Sequence, residues 1–236
     1  MRPQPGRPHG AYLCQRSAGG GFGSRLEAPG PAVKTGTAVT RVNCFLGCSL
    51  PEDAVSWLCV WQRHLQKQLA AAGLEQAVGW VRPESLHLTL VFLGPVQDRS
   101  CQRLQDLLDG RCDDLSALDT VLQPPRFFPK PARPRGLWCP VTESGECLQQ
   151  LHEALLPAVV EAGLAYDAKP FRPHVTLGRV RRRFQGRREL KSLQLIPVEV
   201  PFQPPQLRAE LRQVHLYRTE ATPQGNLYRR LATWVL

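Results

Sequence analysis

A chain of 236 residues is long enough to bury a full hydrophobic core, as one large domain or as two small lobes. No run approaches the roughly 18 apolar residues of a membrane span, and the start of the chain lacks the apolar segment of a signal peptide. The formal net charge is +10, and the eight cysteines form no C-x-x-C pair and no zinc spacing with histidine. We therefore expect a soluble cytoplasmic protein with reduced thiols, no disulfide framework, no metal and no cofactor.

Residues 1–39 differ in composition from the rest of the chain. They are rich in glycine, proline, arginine and alanine, and five basic residues accompany a single acidic one, Glu27. Too little apolar surface is present to offset the entropy of ordering this backbone. We predict a disordered basic tail over residues 1–39 and a folded domain over residues 40–236.

The first predicted elements of the domain are a strand and a long helix. The strand covers Arg41 to Cys48. Ser49 can cap the following helix, and Pro51 fits its first turn. Apolar side chains then recur at three- and four-residue steps as far as Gly73, which favours a helix end. The helix is therefore amphipathic, and His64 on it is interpreted as a surface or boundary residue.

A second strand and a second helix follow. The strand is predicted from Leu86 to Leu93, and Gly94 with Pro95 should end it. Asp98 can open a helix that keeps an apolar face until Gly110.

The rest of the chain repeats this alternation. A third helix over about 146–162 contains Pro157, which should kink it because the ring removes a backbone donor. His152 on this helix is interpreted as a surface or boundary residue. Two similar strand-helix halves predict an internal duplication in architecture. The remaining predicted strands cover residues 117–122, 136–141, 174–180, 192–200 and 210–218.

One four-residue pattern occurs twice, as His87-Leu88-Thr89-Leu90 and as His174-Val175-Thr176-Leu177. Successive side chains of a strand point to opposite faces, so each histidine shares a face with its threonine while the apolar residues enter the core. A single His-x-Thr is a weak motif, and ordinary half-buried strand residues are the alternative. Two copies in strand context, each followed by leucine, favour a functional site. His215 has no threonine two residues later and is not a third copy.

Two imidazoles suit acid–base chemistry on a phosphate ester. If the two strands face each other across a cleft, one imidazole can give a proton and the other can take one, because imidazole titrates near neutral pH. Opening a cyclic phosphate by in-line attack requires both transfers, one at the attacking water and one at the departing ribose oxygen.

The basic residues outside the tail concentrate near the two motifs. A cationic rim beside two histidines suits a polyanionic substrate such as RNA, and a solvated loop is the alternative for the run that begins at Arg181. These basic residues are Lys130, Arg133, Arg135, Arg179, Arg181, Arg182, Arg183, Arg187 and Arg188.

Four segments carry a resemblance to a known family: Leu50–Glu52, Trp80–Gly94, Phe128–Trp138 and Phe171–Arg179. They resemble the 2H phosphoesterase superfamily, and more narrowly its bacterial and archaeal RNA 2',3'-cyclic phosphodiesterases, also called 2'-5' RNA ligases. The resemblance runs from about residue 41 to the end and leaves the tail unexplained. One departure is the first strand, where Asn43–Cys48 replaces the more usual Leu-Phe-x-Ala pattern while staying apolar.

The resemblance implies a fold, an activity and two roles. The implied fold is α+β and two-lobed with pseudo-twofold symmetry, with antiparallel sheets lining a central cleft and helices outside. The implied activity is metal-independent hydrolysis of an RNA 2',3'-cyclic phosphate to a 2'-phosphate. By analogy His87 is the proton donor to the leaving 3'-oxygen and His174 the proton acceptor from water, an order that the sequence alone leaves open.

Further side chains are candidates for holding the substrate. Thr89 and Thr176 would hydrogen-bond the non-bridging phosphate oxygens, with β-propensity alone as the alternative explanation. Arg135 and Arg179 are candidates for holding the phosphate or the neighbouring nucleotide, with ordinary surface charge as the alternative.

Aromatic residues near the predicted cleft are candidates for stacking on the terminal bases. Core packing is the expected role of at least two of them. The four are Phe45, Phe128, Trp138 and Phe171.

Two other functions compete with cyclic phosphate hydrolysis. The same site could catalyse reversible 2'-5' ligation or cleavage of 2'-5' linkages. The protein could instead bind RNA without catalysis, although binding requires neither proton-transfer group. In each case the expected partner is RNA, and the protein is expected to be a monomer.

Overall fold

The computed structural model describes residues 41–111, 116–129, 133–143, 145–185, 207–222 and 225–236. The predicted tail at 1–39 and the predicted strand at 192–200 lie outside these residues. In the described part of the chain, no helix combines the length and the apolar character that crossing a membrane requires.

Three α-helices and ten strands occur within the described ranges, so the protein is of the α+β class, as predicted. The helices are α1 (Glu52–Ala71), α2 (Asp98–Leu108) and α3 (Cys147–Glu161). The strands are β1 (Arg41–Ser49), β2 (Val78–Trp80), β3 (His87–Gln97), β4 (Leu118–Leu122), β5 (Arg126–Phe128), β6 (Gly136–Glu143), β7 (His174–Val180), β8 (Leu207–Leu211), β9 (Gln213–Thr222) and β10 (Gly225–Val235).

The described strands form one curled antiparallel sheet in the order β10-β9-β1-β3-β7-β6-β4-β8. In addition β2 pairs with β7, and β5 pairs with β6. The two motif strands, β3 and β7, are neighbours at the middle of this order and are joined by the pair Leu88 and Val175. Each motif strand therefore has three further strands beyond it along the sheet, which agrees with the two similar halves expected from the sequence.

One core joins the sheet to all three helices. Leu88, Leu90, Val175 and Leu177 are each at most 3 % exposed. The histidines and threonines between them are only half-buried. The predicted alternation is therefore confirmed at both motifs: the apolar residues face the core, and the polar ones face away from it.

Two boundary predictions are wrong. Ser49 does not cap α1, whose N-cap is Pro51, because the Ser49 hydroxyl instead bonds His215. Gly94 and Pro95 do not end β3, which continues to Gln97 because β1 keeps pairing with it. Gly94 has φ +68, a left-handed value that glycine adopts without strain.

The structure also contains strands that the sequence patterns did not predict. They are β2, β5, β8 and β10, of which β2 and β5 are only three residues long. The third helix was placed within one residue at each end, and Pro157 lies inside it.

Candidate active site

The two motifs meet through antiparallel register. Because Leu88 pairs with Val175, continuing the antiparallel ladder sets His87 opposite Thr176 and Thr89 opposite His174. All four side chains project from the face opposite the core. The motif strands are thus neighbours in one curled sheet, and the register of this pair sets each histidine across from the threonine of the other motif.

The two imidazoles are held in the same orientation. His87 Nδ1 lies 2.8 Å from the Ser85 carbonyl oxygen, and His174 Nδ1 lies 2.7 Å from the Arg172 carbonyl oxygen. A carbonyl oxygen only accepts, so Nδ1 carries the proton in both rings. Each neutral ring therefore keeps Nε2 as its proton acceptor, and Nε2 of His87 lies 3.1 Å from the Thr89 hydroxyl.

Aromatic side chains pack against both imidazoles. The His87 ring is stacked on Phe45 and meets Tyr228 edge-on, with ring centroids 4.7 Å apart in both pairs. The His174 ring is stacked on Trp138 at 3.4 Å, and Phe128 stacks behind that indole at 3.5 Å. These contacts restrict rotation of both imidazoles and fix the direction in which each Nε2 points.

Both histidines have lowered pKa values. Burial lowers the pKa of His87 to about 4, with further contributions from the positive charges of Arg179 and His174, against the opposing hydrogen bond to Ser85. Burial and Arg179 also lower the pKa of His174. Both rings are therefore neutral at pH 7 in the free protein. A bound phosphate anion would favour the protonated form that a general acid needs.

A β-bulge brings Arg179 to the site face of β7. Trp138 pairs with Thr176 and Leu137 pairs with Gly178, so Leu177 is an extra residue in β7. Because the bulge shifts the side-chain alternation by one, the exposed Arg179 shares the face of Thr176. Its charge acts on both histidines. The structure therefore brings this predicted residue to the motif pair.

The first motif has a matching bulge. In β3, Thr89 pairs with Gly47 and Val91 pairs with Leu46, which leaves Leu90 as the extra residue. The shift brings Phe92 to the site face, where it is 49 % exposed. The two halves thus present an arginine at one position and a phenylalanine at the other.

Side chains from two helices bind the bulge carbonyls. On α1, Gln62 Nε2 donates to the Leu177 carbonyl at 2.9 Å. On α3, His152 Nδ1 donates to the Leu90 carbonyl, also at 2.9 Å. His152 therefore helps to hold the bulge of β3. This is a structural contact from a half-buried position, which agrees with the interpretation of His152 as a boundary residue.

Three other predicted residues lie differently around the site. Phe45 is 3 % exposed, and its ring stacks on both His87 and Tyr217, so the structure contradicts a role as a platform for bases. Phe171 stacks on His152 at 4.5 Å and lies beside the bulge of β3. Arg135 is exposed and immediately precedes the pair that Gly136 forms with Arg179.

Sequence reasoning missed three residues around His87. Tyr217 lies in β9, and Tyr228 and Arg230 lie in β10; all three line a cavity of about 420 Å³ that includes His87. Burial raises the pKa of Tyr217, while Arg230 opposes that rise through its charge and a hydrogen bond. A signal was present in the sequence, because two apolar-aromatic-arginine runs flank Thr222-Pro223-Gln224-Gly225, whose proline and glycine are residue types that favour turns.

Among the described residues, no group of three or more His, Cys, Asp or Glu side chains is arranged to hold a metal ion. The chemistry that the site presents on its own side chains is proton transfer at two imidazoles, with hydroxyl groups and a guanidinium next to them.

Solved structures share this fold. The crystal structure of Escherichia coli LigT complexed with 3'-AMP superposes with a TM-score of 0.62 at 21 % identity, covering 83 % of this chain and 98 % of that one. A Thermus thermophilus protein gives the same TM-score at 24 % identity, covering 82 % and 97 %. These similarities concern the fold.

Sequence relatives indicate the family. An RNA 2',3'-cyclic phosphodiesterase of Archaeoglobus fulgidus is 29 % identical over 159 residues, which cover 64 % of this chain and 80 % of the relative. The enzyme of the same name from Methanothermobacter thermautotrophicus is 29 % identical over 193 residues, which cover 80 % and 95 %. Residues 61–223 match the model of the 2'-5' RNA ligase superfamily. The chain belongs to this superfamily of 2H phosphoesterases.

Proposed function

We propose that this protein hydrolyses RNA 2',3'-cyclic phosphate ends to 2'-phosphates. The observation that carries the proposal is the antiparallel pair of Leu88 with Val175, which brings the two His-x-Thr motifs side by side in one sheet. Both Nδ1 atoms donate hydrogen bonds to backbone carbonyl oxygens. Each imidazole can therefore exchange protons with a substrate through its Nε2 atom. The names of the sequence relatives support the same substrate.

In the proposed reaction His174 Nε2 takes a proton from a water molecule as its oxygen attacks phosphorus. The bond from phosphorus to the 3'-oxygen breaks, and His87 Nε2 gives that oxygen a proton. The phosphate stays on the 2'-oxygen, and the proton balance between the two imidazoles is restored through solvent. Both transfers are assigned to imidazoles, so the proposal requires no metal-bound water.

The remaining site residues stabilise the negative charge of the phosphate in this proposal. Thr89 and Thr176 hydrogen-bond the non-bridging phosphate oxygens, where negative charge is held throughout the reaction. The Arg179 guanidinium adds a positive charge on the same face, and Arg135 stands beside it as a second cation. We further propose that the protein acts as a monomer in the cytoplasm.

The proposed function is tested with an oligonucleotide that ends in a 2',3'-cyclic phosphate, incubated with the purified protein in EDTA. Chromatography against authentic 2'-phosphate and 3'-phosphate standards identifies the product, which we expect to be the 2'-phosphate. A 3'-phosphate product, or activity that disappears in EDTA and returns with Mg²⁺ or Mn²⁺, contradicts the mechanism. Binding without turnover supports a non-catalytic RNA-binding protein.

The assignment of His87 as the acid has its own test. A substrate with sulfur in place of the bridging 3'-oxygen has a leaving group that departs without a proton. We expect His87→Ala to regain most of its lost rate on this substrate, while His174→Ala stays slow. The opposite pattern would exchange the two roles.

Ligation is a second candidate, favoured by the description of the matching family. The same two imidazoles can serve a 5'-hydroxyl in place of water. His174 would take the proton of that hydroxyl as its oxygen attacks phosphorus, the bond to the 3'-oxygen would break with a proton from His87, and a 2'-5' linkage would form. Adding an acceptor oligonucleotide with a 5'-hydroxyl and looking for a 2'-5' linked product separates this candidate from hydrolysis.

A further inference from the structure

A second cavity, of about 390 Å³, lies beside the motif pair but includes neither histidine. Its walls come from β2, the segment after β2, the end of β7 and the start of β10. Three arginines and two aromatic residues lie among its lining residues, namely Arg82, Arg179, Arg181, Trp80 and Tyr228.

Tyr228 connects this cavity to the active site. It lines both this cavity and the cavity that includes His87, and its ring meets the His87 ring edge-on at 4.7 Å. Arg179 makes a second connection, since it lines the cavity and its charge acts on both histidines. Tyr228 and Arg179 therefore border both places, so an RNA chain that extends beyond the terminal ribose at the motif pair would next meet this cavity.

The charge of the cavity is mostly unneutralised. Arg82 is half-buried and has one carboxylate nearby, with Nη1 3.7 Å from Oε1 of the exposed Glu84. Arg181 Nη1 donates to the neutral Gln76 side chain at 3.5 Å. Within the described residues, neither Arg179 nor Arg181 forms a salt bridge. Three guanidinium groups with one weakly placed carboxylate suit a phosphate ligand.

Close packing of β2 against β7 shapes one wall. A Cβ atom added at Gly178 would lie 2.5 Å from Val78 Cγ1 and 3.5 Å from the Trp80 ring. Glycine at this position thus lets β2 approach β7 and holds the indole at the cavity. Aromatic rings beside cationic groups are the usual elements of a single-stranded RNA site, where bases stack and phosphates pair with arginine.

We propose that this cavity binds the nucleotide immediately 5' to the cyclic phosphate end. Arg82 and Arg181 contact the phosphodiester that joins this nucleotide to the terminal one. Trp80 and Tyr228 provide the aromatic surface on which its base stacks. This inference rests on the proposed function and deepens it, because it makes an RNA end of at least two nucleotides the preferred substrate over a cyclic mononucleotide.

The test compares two substrates, a 2',3'-cyclic mononucleotide and a dinucleotide that ends in the same cyclic phosphate. For the Arg82→Ala/Arg181→Ala double variant, we expect kcat/KM on the dinucleotide to fall at least about tenfold, because two charge-assisted contacts are removed. Turnover of the mononucleotide stays at the wild-type rate. The salt dependence of kcat/KM on the dinucleotide should also weaken.

The matched control is Arg103→Ala, which removes an exposed arginine from α2 that lines neither cavity. It should leave both substrates unaffected. Equal losses on both substrates, or no loss on the dinucleotide, overturn the inference. Thermal unfolding of each variant separates misfolding from lost contacts, and Arg82→Gln/Arg181→Gln replaces the double alanine variant if that one unfolds.

Failure of the proposed function is recognised separately, because wild-type protein would then turn over neither substrate. In that case the cavity is tested by binding of a labelled dinucleotide with an uncleavable 3'-phosphate. Equal affinity of the wild-type protein and the double variant would overturn the inference.

Discussion

At the scale of single residues, backbone and aromatic contacts define the state of each histidine. Nδ1 of His87 and Nδ1 of His174 donate to the carbonyl two residues earlier, so the same tautomer is selected in both motifs. Phe45 and Trp138 then hold the ring planes. Phe45 and Trp138 thus position imidazoles, although both were candidates for stacking on bases.

Removing either imidazole should stop most turnover. We expect His87→Ala and His174→Ala each to lower kcat at least about a hundredfold, because general acid or base assistance contributes about 10²–10⁴. The double variant should lose far less than the product of the two single losses, since the pair acts as a unit. His64→Ala on α1 is the control, and near-normal rates in either motif variant would refute the assignment.

The lowered pKa values predict the pH dependence of kcat/KM. Catalysis requires one imidazole protonated and one neutral, so the rate has its maximum between the two apparent pKa values of the pair. Both pKa values lie below the ordinary 6.5 in the free protein. The maximum should therefore lie below about pH 6.5, with kcat/KM falling as pH rises and the acid loses its proton.

Arg179→Gln provides a check on this electrostatic argument. Its positive charge lowers the pKa of both histidines, so its removal should shift the whole profile to higher pH as well as lower the rate. An unshifted profile in this variant would mean that Arg179 does not act on the titrating pair.

At the scale of elements, His215 joins three strands. It lies in β9, is fully buried, and bonds Ser49 of β1 at 3.0 Å and Thr233 of β10 at 2.9 Å. These strands carry Tyr217, Tyr228 and Arg230 towards the His87 ring. This histidine belongs to neither motif, but by joining the three strands it helps to position the residues that surround His87.

His215 should make the fold sensitive to acid. Burial, together with the charge of Arg230, lowers its pKa to about 4, whereas the unfolded chain titrates near 6.5. Between these values the unfolded state binds more protons, so stability falls as pH is lowered, by up to about 3 kcal/mol from this group. Urea unfolding at pH 7.5 and pH 4.5 should show a smaller loss for His215→Gln than for the wild type. An equal loss would assign the acid sensitivity to other groups.

At the scale of the whole molecule, the site depends on how the two similar halves of the sheet join. The described sheet has its motif strands at the centre, and a single residue pair in the described ladder links them. Beyond that pair, β7 continues against β2. The arginine-lined cavity lies at this end of β7, where residues of β2, the segment after β2 and the start of β10 complete its lining.

The N-terminal segment should be dispensable for catalysis. Residues 1–39 contain no part of either motif, so a protein that begins at residue 40 should turn over a short cyclic nucleotide at the wild-type rate. The loss of five basic residues should weaken nonspecific affinity for longer RNA, most clearly at low salt. A truncated protein that is folded but inactive would show that residues 1–39 contribute to catalysis.

The sequence by itself determined the motif pair and the faces of its strands. A repeated His-x-Thr within apolar runs specifies which side chains are buried, because a strand alternates with period two. Helix positions followed from apolar spacing, and the prediction of α3 was accurate within one residue at each end.

Only the tertiary structure decided the register between the motifs, the bulges and the residues behind the histidines. The pairing of Leu88 with Val175 joins residues 87 positions apart, which no local pattern encodes. A bulge adds one residue and reverses the side-chain alternation beyond it. Strict alternation would place Arg179 on the core face, and the bulge places it on the site face instead. Tyr228 reaches His87 because β10 pairs with β9. These two residues are far apart in the sequence, so their contact depends on how the strands pack and not on a local pattern.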